Sequence, residues 1–465
     1  MHKDARGHAV TLSRPTALDA YERALYAFQT YRGDPLQQLD EALAFDDGFA
    51  AAYATKALLL CTLFERRFMR DALAVLEQGR AAIESATPRE RALAAAARDI
   101  AGGEWHAGVR ALERVLVDYP RDVVALQVAH VMDFYRGDSL NLRNRVSRVL
   151  PAWSESIPGY AYVLGMHAFG LEECNQYADA ERTGRLAVET SGDDCWAVHA
   201  VAHVMEMQGR IGDGMAWYEA TRGVWAGEDN GFAFHNHWHT ALYHMDRADY
   251  AAALAIFDAR LASGVEMVLP RIDATALLWR LKLEGADIGQ RFAPVADAWE
   301  RTLAGEGGFY AFNDFHAAMA FAADGRRESL AHLQQGLIQA SLGKNSNGDM
   351  TRRIGLDACE AAIAYTEQRF DDAVEKLLAV RDGAAAFGGS HAQRDLLTLT
   401  LIDSAAHAGR TRLSAIRHRS GNMAPSPASA LPCAACARCR CKKKFTLHPK
   451  PKRYATLSIA VSTRG

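Results

Sequence analysis

Residues 196–224 read WAVHAVAHVMEMQGRIGDGMAWYEATRGV, an apolar helical segment, a turn at Gly209 and a second, more polar helical segment. The same kind of short amphipathic segment follows other turns, for example WHAGVRALERVL (105–116) and YAAALAIFDARL (250–261). These segments place Ala with Leu or Val where two helices can approach closely. The stretch therefore predicts a helical hairpin that is repeated along the chain.

Helix-to-helix turns recur at a nearly constant interval. Where neighbouring turns are both visible they lie 34, 39, 33 and 38 residues apart, and gaps of 70, 78 and 44 residues fit two units, two units and one longer unit. The turns are centred on Gly33, Gly103, Gly137, Gln176, Gly209, Arg247, Gly325 and Arg369. This period is typical of tetratricopeptide-like hairpins. We predict an all-α, tetratricopeptide-like α-solenoid of about ten or more antiparallel helix pairs, with generic α-helical hairpins as the alternative.

Charge divides the chain near residue 410. Hydrophobic residues make up 49% and charged residues 23% of the chain, as in proteins with a large core. Residues 411–465 contain 12 Lys and Arg and no Asp or Glu, which leaves residues 1–410 with a net charge of about −15. An acidic body argues against nucleic-acid binding. We predict a polar N-terminal lead-in (1–16), a repeat domain (17–410) and a basic tail (411–465).

The sequence also indicates a compartment. Its start has no basic-then-apolar signal-peptide pattern. The best apolar run, residues 50–64, is broken by Lys56 and is shorter than the roughly 18 residues that a membrane span needs. The cysteines of the body are isolated, as expected of buried thiols in a reducing compartment: Cys61, Cys174, Cys195 and Cys359. We therefore expect a cytoplasmic protein without a membrane partner.

The tail differs from the rest of the chain. It contains CAACARCRC (433–441), whose spacing could ligate zinc or an iron–sulfur cluster. Its KKKF and PKPKR segments could bind acidic surfaces. The abrupt loss of acidic residues also fits translation in a shifted reading frame. We expect a disordered or frame-shifted extension, with a genuine basic tail and a metal knuckle as the alternatives.

The opening stretch carries the first of two histidine clusters. Six of the 17 histidines lie between residues 196 and 244. His199, His203 and Glu206 stand at i, i+4 and i+7, within about 60° of one another on one helical stripe. Two imidazoles at i and i+4 can bind one metal ion, and a carboxylate one turn further can be a third ligand. The spacing therefore predicts His199, His203 and Glu206 as a metal-ligand set.

The second cluster lies in NGFAFHNHWHTALYHMD (230–246). His235 and His239, at i and i+4, share one helical face. His237 and His244 lie on the roughly opposite face, so only one pair can face the same space as the first cluster. We predict that His235 and His239 line one site together with the first cluster.

Three interpretations of the two clusters are open. Three or four neutral imidazoles with one carboxylate suit zinc or non-haem iron. The same groups can act without metal, as hydrogen-bonding and acid/base groups for an organic ligand. They can also be structural, each satisfied by a neighbouring carbonyl. The sequence names no reaction, so enzymatic activity is left open.

Three further histidines add polar groups to apolar helices. His167 precedes Glu172 by five residues, His316 lies in the first turns of a helix, and His391 is at i, i+4 with Asp395. A helix cap or a surface ion pair is the alternative in such places. The complete predicted ligand-binding set is His199, His203, Glu206, His235, His239, His167, His316 and His391.

Five segments together resemble a known family. They are WAVHAVAHVMEMQGR (196–210), NGFAFHNHWHTALYHMD (230–246), DATALLWRLKLEG (273–285), FNDFHAAMAF (312–321) and GGSHAQRD (388–395). At these segments the chain resembles the tetratricopeptide repeat protein 38 family, whose bacterial members include the StaR-like proteins. The resemblance covers roughly residues 15–410 and implies an all-α, tetratricopeptide-like fold. It implies no activity, and no catalytic residue is carried over.

These observations lead to two functional predictions. The first is a polar pocket between the helices around 196–207 and 232–246, which binds a small molecule with or without metal. The alternative is a protein-interaction scaffold with structural histidines and a groove open along its length. The pocket requires that His199, His203 and His235 converge in an enclosed cavity.

Overall fold

Helices make up nearly all of the computed structural model, which describes residues 2–410. Their bounds are α1 Thr16–Thr30, α2 Pro35–Phe45, α3 Ala50–Thr62, α4 Arg66–Gln78, α5 Arg80–Glu84, α6 Pro88–Ala101, α7 Trp105–Asp118, α8 Val123–Tyr135, α9 Ser139–Val149, α10 Tyr160–Glu173, α11 Tyr177–Ser191, α12 Cys195–Met207, α13 Ile211–Ala220, α14 Arg222–Trp225, α15 Ala233–Asp246, α16 Tyr250–Ile256, α17 Val268–Leu283, α18 Phe292–Glu306, α19 Ala311–Asp324, α20 Arg327–Ser341, α21 Ser346–Met350, α22 Leu356–Thr366, α23 Phe370–Arg381 and α24 His391–His407. The predicted all-α class is confirmed for this range. The predicted tail and its cysteine cluster lie outside the described residues.

Consecutive helices pack as pairs. Between residues 2 and 410 the pairs are α1–α2, α3–α4, α6–α7, α8–α9, α10–α11, α12–α13, α15–α16, α17–α18, α19–α20 and α22–α23. The last helix, α24, packs on α23. These ten pairs confirm the predicted number of hairpins. Within the described range, no helix has both the length and the apolar character needed to cross a membrane.

The turns inside the pairs lie where the sequence predicts them. Gly137 and Gly209 both have a φ of 66°, in the left-handed region that glycine enters without a Cβ clash. At the predicted turns that lack glycine, a neighbouring residue takes this conformation: Asn175, Ala248 or Gln368. The repeat period therefore follows from chain reversals with one common backbone geometry.

Two turns without a visible sequence signal divide the wide gaps of the repeat. Phe64, with a φ of 54°, follows α3, and Gly285, with a φ of 74°, follows α17. They separate α3 from α4 and α17 from α18. Both wide gaps therefore contain two units, as the spacing predicts. At Phe64 the chain reverses with a bulky aromatic residue, which no turn rule selects.

The first helix of a pair lies deeper than the second. In α12 every residue from Cys195 to Met205 is buried, whereas α13 buries only Ile211, Gly214 and Tyr218. This difference explains why the first segment of the opening stretch is apolar and the second is mixed. A polar side chain between Cys195 and Met205 of α12 is therefore enclosed in the protein core.

The N-terminal residues predicted as a polar lead-in contain a short antiparallel hairpin. Its strands are β1 His2–Lys3 and β2 Ala9–Val10. The backbone N and the Oγ1 of Thr11 donate hydrogen bonds of 2.8 and 2.7 Å to the carboxylate of Glu90 on α6. These bonds attach the hairpin to the helical body.

The first units of the repeat contact later units directly. The hydroxyl of Tyr310, the N-cap of α19, donates to the carbonyl oxygen of Tyr135 on α8, 2.9 Å away. Nη2 of Arg32 donates to the carbonyl oxygen of Val224 at 2.7 Å. These two hydrogen bonds join residues that are 175 and 192 positions apart in the chain.

Candidate metal centre

Four histidines of α12 and α15 meet in the core. They are His199, His203, His235 and His239, called the histidine quartet below. One possible ligand nitrogen from each lies within 4.8 Å of the other three, and all four side chains are buried. The ring centroids of His199 and His203 are 4.3 Å apart, and those of His203 and His239 are 4.4 Å apart. The structure thus brings together the four histidines that the two sequence clusters contribute.

The convergence follows from the i, i+4 spacing on two packed inner helices. Each pair of histidines projects from one face of its helix. The hydroxyl of Tyr243 on α15 donates to the carbonyl oxygen of Ala202 on α12 at 2.7 Å, between the two histidine stripes. This hydrogen bond keeps the two helices in contact beside the quartet.

Two of the four imidazoles have a hydrogen-bonded carboxylate behind them. Nδ1 of His239 lies 2.8 Å from Oε2 of Glu206, and Nδ1 of His235 lies 2.7 Å from Oδ2 of Asp273. In each case the carboxylate occupies Nδ1 and leaves Nε2 free. Glu206, which the spacing predicted as a metal ligand, is placed behind an imidazole instead of among the converging nitrogens.

The other two imidazoles are held less tightly. Nδ1 of His203 is 3.6 Å from Oε2 of Glu172, beyond hydrogen-bond distance, and both side chains are fully buried. Within residues 2–410, His199 has no carboxylate partner and neither of its nitrogens has a hydrogen-bond partner. Among the described residues, both nitrogens of His203 and Nε2 of His239 also lack a hydrogen-bond partner. Each unpaired buried polar group costs about 1–3 kcal/mol, so the quartet has the donor and acceptor groups of a binding site.

Burial keeps His199, His203 and His239 neutral. It lowers the pKa of His199 and of His239 well below the ordinary value, and it lowers the pKa of His203 to about 3. Neighbouring histidines lower the pKa of His199 and His239 further. Neutral imidazole is the form that binds a metal ion, so no proton has to be removed at pH 7.

Burial also acts on the carboxylates behind the quartet. It raises the pKa of Glu172 and of Glu206 well above the ordinary range, and it raises the pKa of Asp273 although His235 opposes this shift. A cation placed at the quartet would stabilise the ionised form of each carboxylate. The three acids could therefore compensate the charge of a bound divalent ion.

A cavity of about 360 Å³ has His199 and His235 in its wall. Most of the remaining wall is aromatic or aliphatic, and it includes Tyr31, Trp196 and Phe232. Aromatic contacts join this wall to the quartet, since the rings of Trp196 and Phe232 each lie 5.1 Å from that of His199. The quartet therefore borders an apolar space large enough for a small organic molecule.

A second group of possible ligands adjoins the quartet. Glu172, Glu173 and His203 place one atom each within 4.8 Å of the others. However, Nη2 of Arg394 lies 2.9 Å from Oε2 of Glu173, and the backbone N of His391 donates to Oε1 at 2.7 Å. Since a guanidinium already neutralises Glu173, the quartet is the better position for a metal cation.

The remaining predicted site residues lie outside the quartet. Nε2 of His167 is 3.0 Å from Oγ of Ser147 on α9. His316 is buried, and its Nδ1 is 2.8 Å from the carbonyl oxygen of Phe312, a residue of the cavity wall. Nε2 of His391 lies 3.1 Å from the carbonyl oxygen of Glu173. The structure does not bring these three histidines together with the quartet.

The two histidines on the opposite face of α15 are also separate from the quartet, as predicted. The ring of His237 packs edge-on against Trp225 with a centroid distance of 4.8 Å. Nδ1 of His244 lies 3.4 Å from Oδ2 of Asp249 at the surface. His237 is therefore a buried histidine of α15 without a place in the site.

Sequence reasoning missed the carboxylate partners Asp273 and Glu172. Both are acids in otherwise apolar helices, and this feature of the sequence could have identified them as partners of the histidines. Glu206 and His239 are 33 residues apart, and His235 and Asp273 are 38 apart, close to one repeat period. A search for acids one repeat away from each histidine would have found these pairs.

No protein-family model matches the chain. A solved structure described as the "P58(IPK) TPR Domain" is 13% identical and covers 85% of this chain and 98% of that chain, with a TM-score of 0.19. A TM-score this low carries no argument, so the assignment of helical hairpin repeats rests on the ten helix pairs.

Proposed function

We propose that the histidine quartet binds one divalent transition metal ion and that the adjoining cavity binds a small organic molecule beside it. The convergence of four buried imidazoles carries this proposal. Burying this many nitrogens without partners is unfavourable, and a metal ion would satisfy one nitrogen of each ring. The proposed function combines the small-molecule pocket predicted from the sequence with a metal ion at the quartet.

Zinc fits the donor set best. Four imidazole nitrogens can surround zinc tetrahedrally at about 2.0–2.1 Å, which places them roughly 3.4 Å apart, so the quartet has to contract slightly on binding. Carboxylates on Nδ1 of His235 and His239 match the support that metal-bound histidines receive in proteins. Non-haem iron ranks second, because the common iron triad takes a carboxylate directly and Glu206 stands behind His239.

A purely structural role explains the four histidines of the quartet less well. A histidine that serves packing alone pairs its nitrogens with nearby carbonyl groups, as Nδ1 of His316 does with Phe312. In the described part of the chain, His130 and His316 also leave nitrogens unpaired, but five unpaired nitrogens lie together only at the quartet. The number of unpaired nitrogens favours a ligand over packing.

A protein-interaction scaffold is also supported less well. Such a scaffold needs side chains exposed along an inner groove, whereas His199, His203 and His239 are 0–1% exposed. Membership of the tetratricopeptide repeat protein 38 family stays a proposal that rests on the five sequence segments. Helical hairpin repeats alone do not identify an activity.

Metal analysis of the purified 465-residue chain tests the proposal. Because the tail cysteines could bind zinc themselves, the background protein carries Cys433→Ser, Cys436→Ser, Cys439→Ser and Cys441→Ser. This background should bind one zinc ion per chain, measured by titration and elemental analysis. His239→Ala should abolish this binding, and the matched control His237→Ala, on the same helix, should retain it.

The outcomes separate the interpretations. Loss of zinc from His239→Ala alone, with the helical circular dichroism unchanged in both variants, supports the metal site. Equal zinc binding by both variants would place the metal elsewhere and overturn the proposal. A background protein that binds no zinc or iron would leave a metal-free pocket as the better description.

A further inference from the structure

His199 differs from the rest of the quartet in its support. His235 and His239 are hydrogen-bonded to carboxylates, and His203 faces Glu172 at 3.6 Å. Among the described residues His199 has no acid behind it. Supporting carboxylates orient a metal-binding imidazole and increase its basicity. As a metal ligand, His199 would therefore be bound more weakly than the other three.

His199 also differs in its position. His203 and His239 are fully buried and do not line the cavity, whereas His199 and His235 do. Of the two cavity histidines, His235 is fixed by its 2.7 Å hydrogen bond to Asp273. Of the two histidines that line the cavity, His199 is therefore the one without a supporting hydrogen bond.

The wall next to His199 is aromatic. The rings of Tyr31 and Trp196 stack with a centroid distance of 5.9 Å and an interplanar angle of 14°, and Phe232 lies 5.1 Å from Tyr31. Flat faces of this kind pack against the faces and edges of other aromatic rings. An aromatic ligand in the cavity would therefore lie beside His199.

The charge of the cavity wall argues against ligands that carry a phosphate group or several carboxylates. The cavity lining contains no Lys or Arg, and the carboxyl groups in it are those of Asp34 and Asp273. Phosphate groups and multiple carboxylates need cationic partners when they are buried. A bound metal ion would supply one positive centre, which suits a ligand with one donor atom.

We infer that His199 is an exchangeable metal ligand and that the cavity binds an aromatic small molecule whose single nitrogen or oxygen donor replaces His199 at the metal. The inference rests on the metal site proposed above. In the exchange one metal–nitrogen bond breaks and one metal–donor bond forms, so the coordination number and the oxidation state are conserved. The freed imidazole of His199 stays neutral beside the ligand.

Cobalt(II) in the tail-cysteine background provides the assay, because its visible absorption reports changes of ligand. The probes are 4-phenylimidazole, imidazole and phenyl phosphate. We expect 4-phenylimidazole to change the spectrum and to bind roughly tenfold or more tightly than imidazole, because its phenyl ring is buried in the cavity. Phenyl phosphate should leave the spectrum unchanged, because the cavity lacks a cation for its phosphate group.

Two pairs of variants make the test specific. His199→Ala should still bind cobalt and should bind imidazole more tightly than the background, whereas His203→Ala should not bind cobalt. Leu36→Trp fills part of the cavity and should remove the preference for 4-phenylimidazole. The matched control Leu73→Trp, at an exposed position outside the cavity, should retain this preference.

The results distinguish this inference from the proposed function. If cobalt does not bind to the background protein, the metal site itself is wrong. If cobalt binds but His199→Ala loses it as fully as His203→Ala does, the metal site stands and the exchangeable ligand is overturned. Binding of phenyl phosphate as tightly as 4-phenylimidazole would overturn the ligand class.

Discussion

Nδ1 of His239 and Oε2 of Glu206 lie 2.8 Å apart although 33 residues separate them in the chain. The two residues belong to inner helices of successive hairpins, α15 and α12. One repeat unit therefore supplies the carboxylate that orients an imidazole of the next. Successive hairpins in this way form a cluster of side chains that no single unit contains.

Removing the charge of Glu206 should weaken metal binding. Glu206→Gln keeps the size of the side chain but loses the carboxylate that orients His239. We expect zinc affinity to fall about 10- to 100-fold, the usual effect of losing a supporting carboxylate. Competition with a chelator of known affinity measures this change. The control Glu219→Gln removes an exposed carboxylate on α13 and should leave the affinity unchanged; equal affinities in all three proteins would contradict the role of Glu206.

Metal should stabilise the protein through His203. When zinc is present at about 100 times its dissociation constant, binding adds about 2.7 kcal/mol to the free energy of unfolding. His203→Leu should show no such gain. Without metal, however, this variant should be at least as stable as the metal-free parent, because it removes two unpaired buried nitrogens. Urea unfolding with and without zinc measures both effects, and a gain on zinc addition that persists in His203→Leu would rule out the role assigned to His203.

The repeat was predictable because its turns obey local rules. Gly137 and Gly209 mark chain reversals that need a positive φ, and the apolar first segment of the opening stretch marks an inner helix. Phe64 breaks the local rule, so only the spacing of the other turns indicated a reversal there. Local backbone preference and period together therefore account for the architecture.

The candidate site was predictable only in part. The i, i+4 spacing identified His199 with His203 and His235 with His239, because helical periodicity alone sets which residues share a face. The partnership of His235 with Asp273 depends on how two hairpins stack. Stacking is a tertiary property, so no rule that acts within one helix predicts which acid approaches which imidazole.

Contact between early and late hairpins should depend on Gly137. A Cβ added there would lie 1.6 Å from the carbonyl oxygen of Ala385, so Gly137→Ala forces two backbones apart. We expect a loss of about 3 kcal/mol or more, from the left-handed conformation together with the clash. Gly192→Ala is the matched control, since Gly192 has a similar φ of 72° but nothing within 4 Å of the added Cβ. It should lose only about 1–2 kcal/mol, and equal losses measured by chemical unfolding would show that the two segments are not in contact.

The N-cap of α12 should make stability depend on pH. Asp194 accepts a hydrogen bond from the backbone N of Ala197, and its Oδ2 is buried without a partner in the described part of the chain. Burial raises the pKa of this carboxyl from 3.8 to about 8, and the nearby Asp193 adds to the shift. Between these two values the folded protein binds more protons at this position than the unfolded protein does. The free energy of unfolding therefore falls as pH rises from about 4 to about 8, by at most about 1.4 kcal/mol per pH unit.

Asp194→Asn isolates this contribution. The amide oxygen of asparagine can still accept the bond from Ala197, since asparagine caps helices about as well as aspartate, but it does not titrate. The difference in unfolding free energy between variant and parent should grow in favour of the variant from about pH 5 to about pH 8. Urea unfolding at both pH values, with zinc removed, measures this difference. Because other buried acids titrate equally in both proteins, a difference that stays constant with pH would mean that Asp194 is ionised in the folded protein throughout this range.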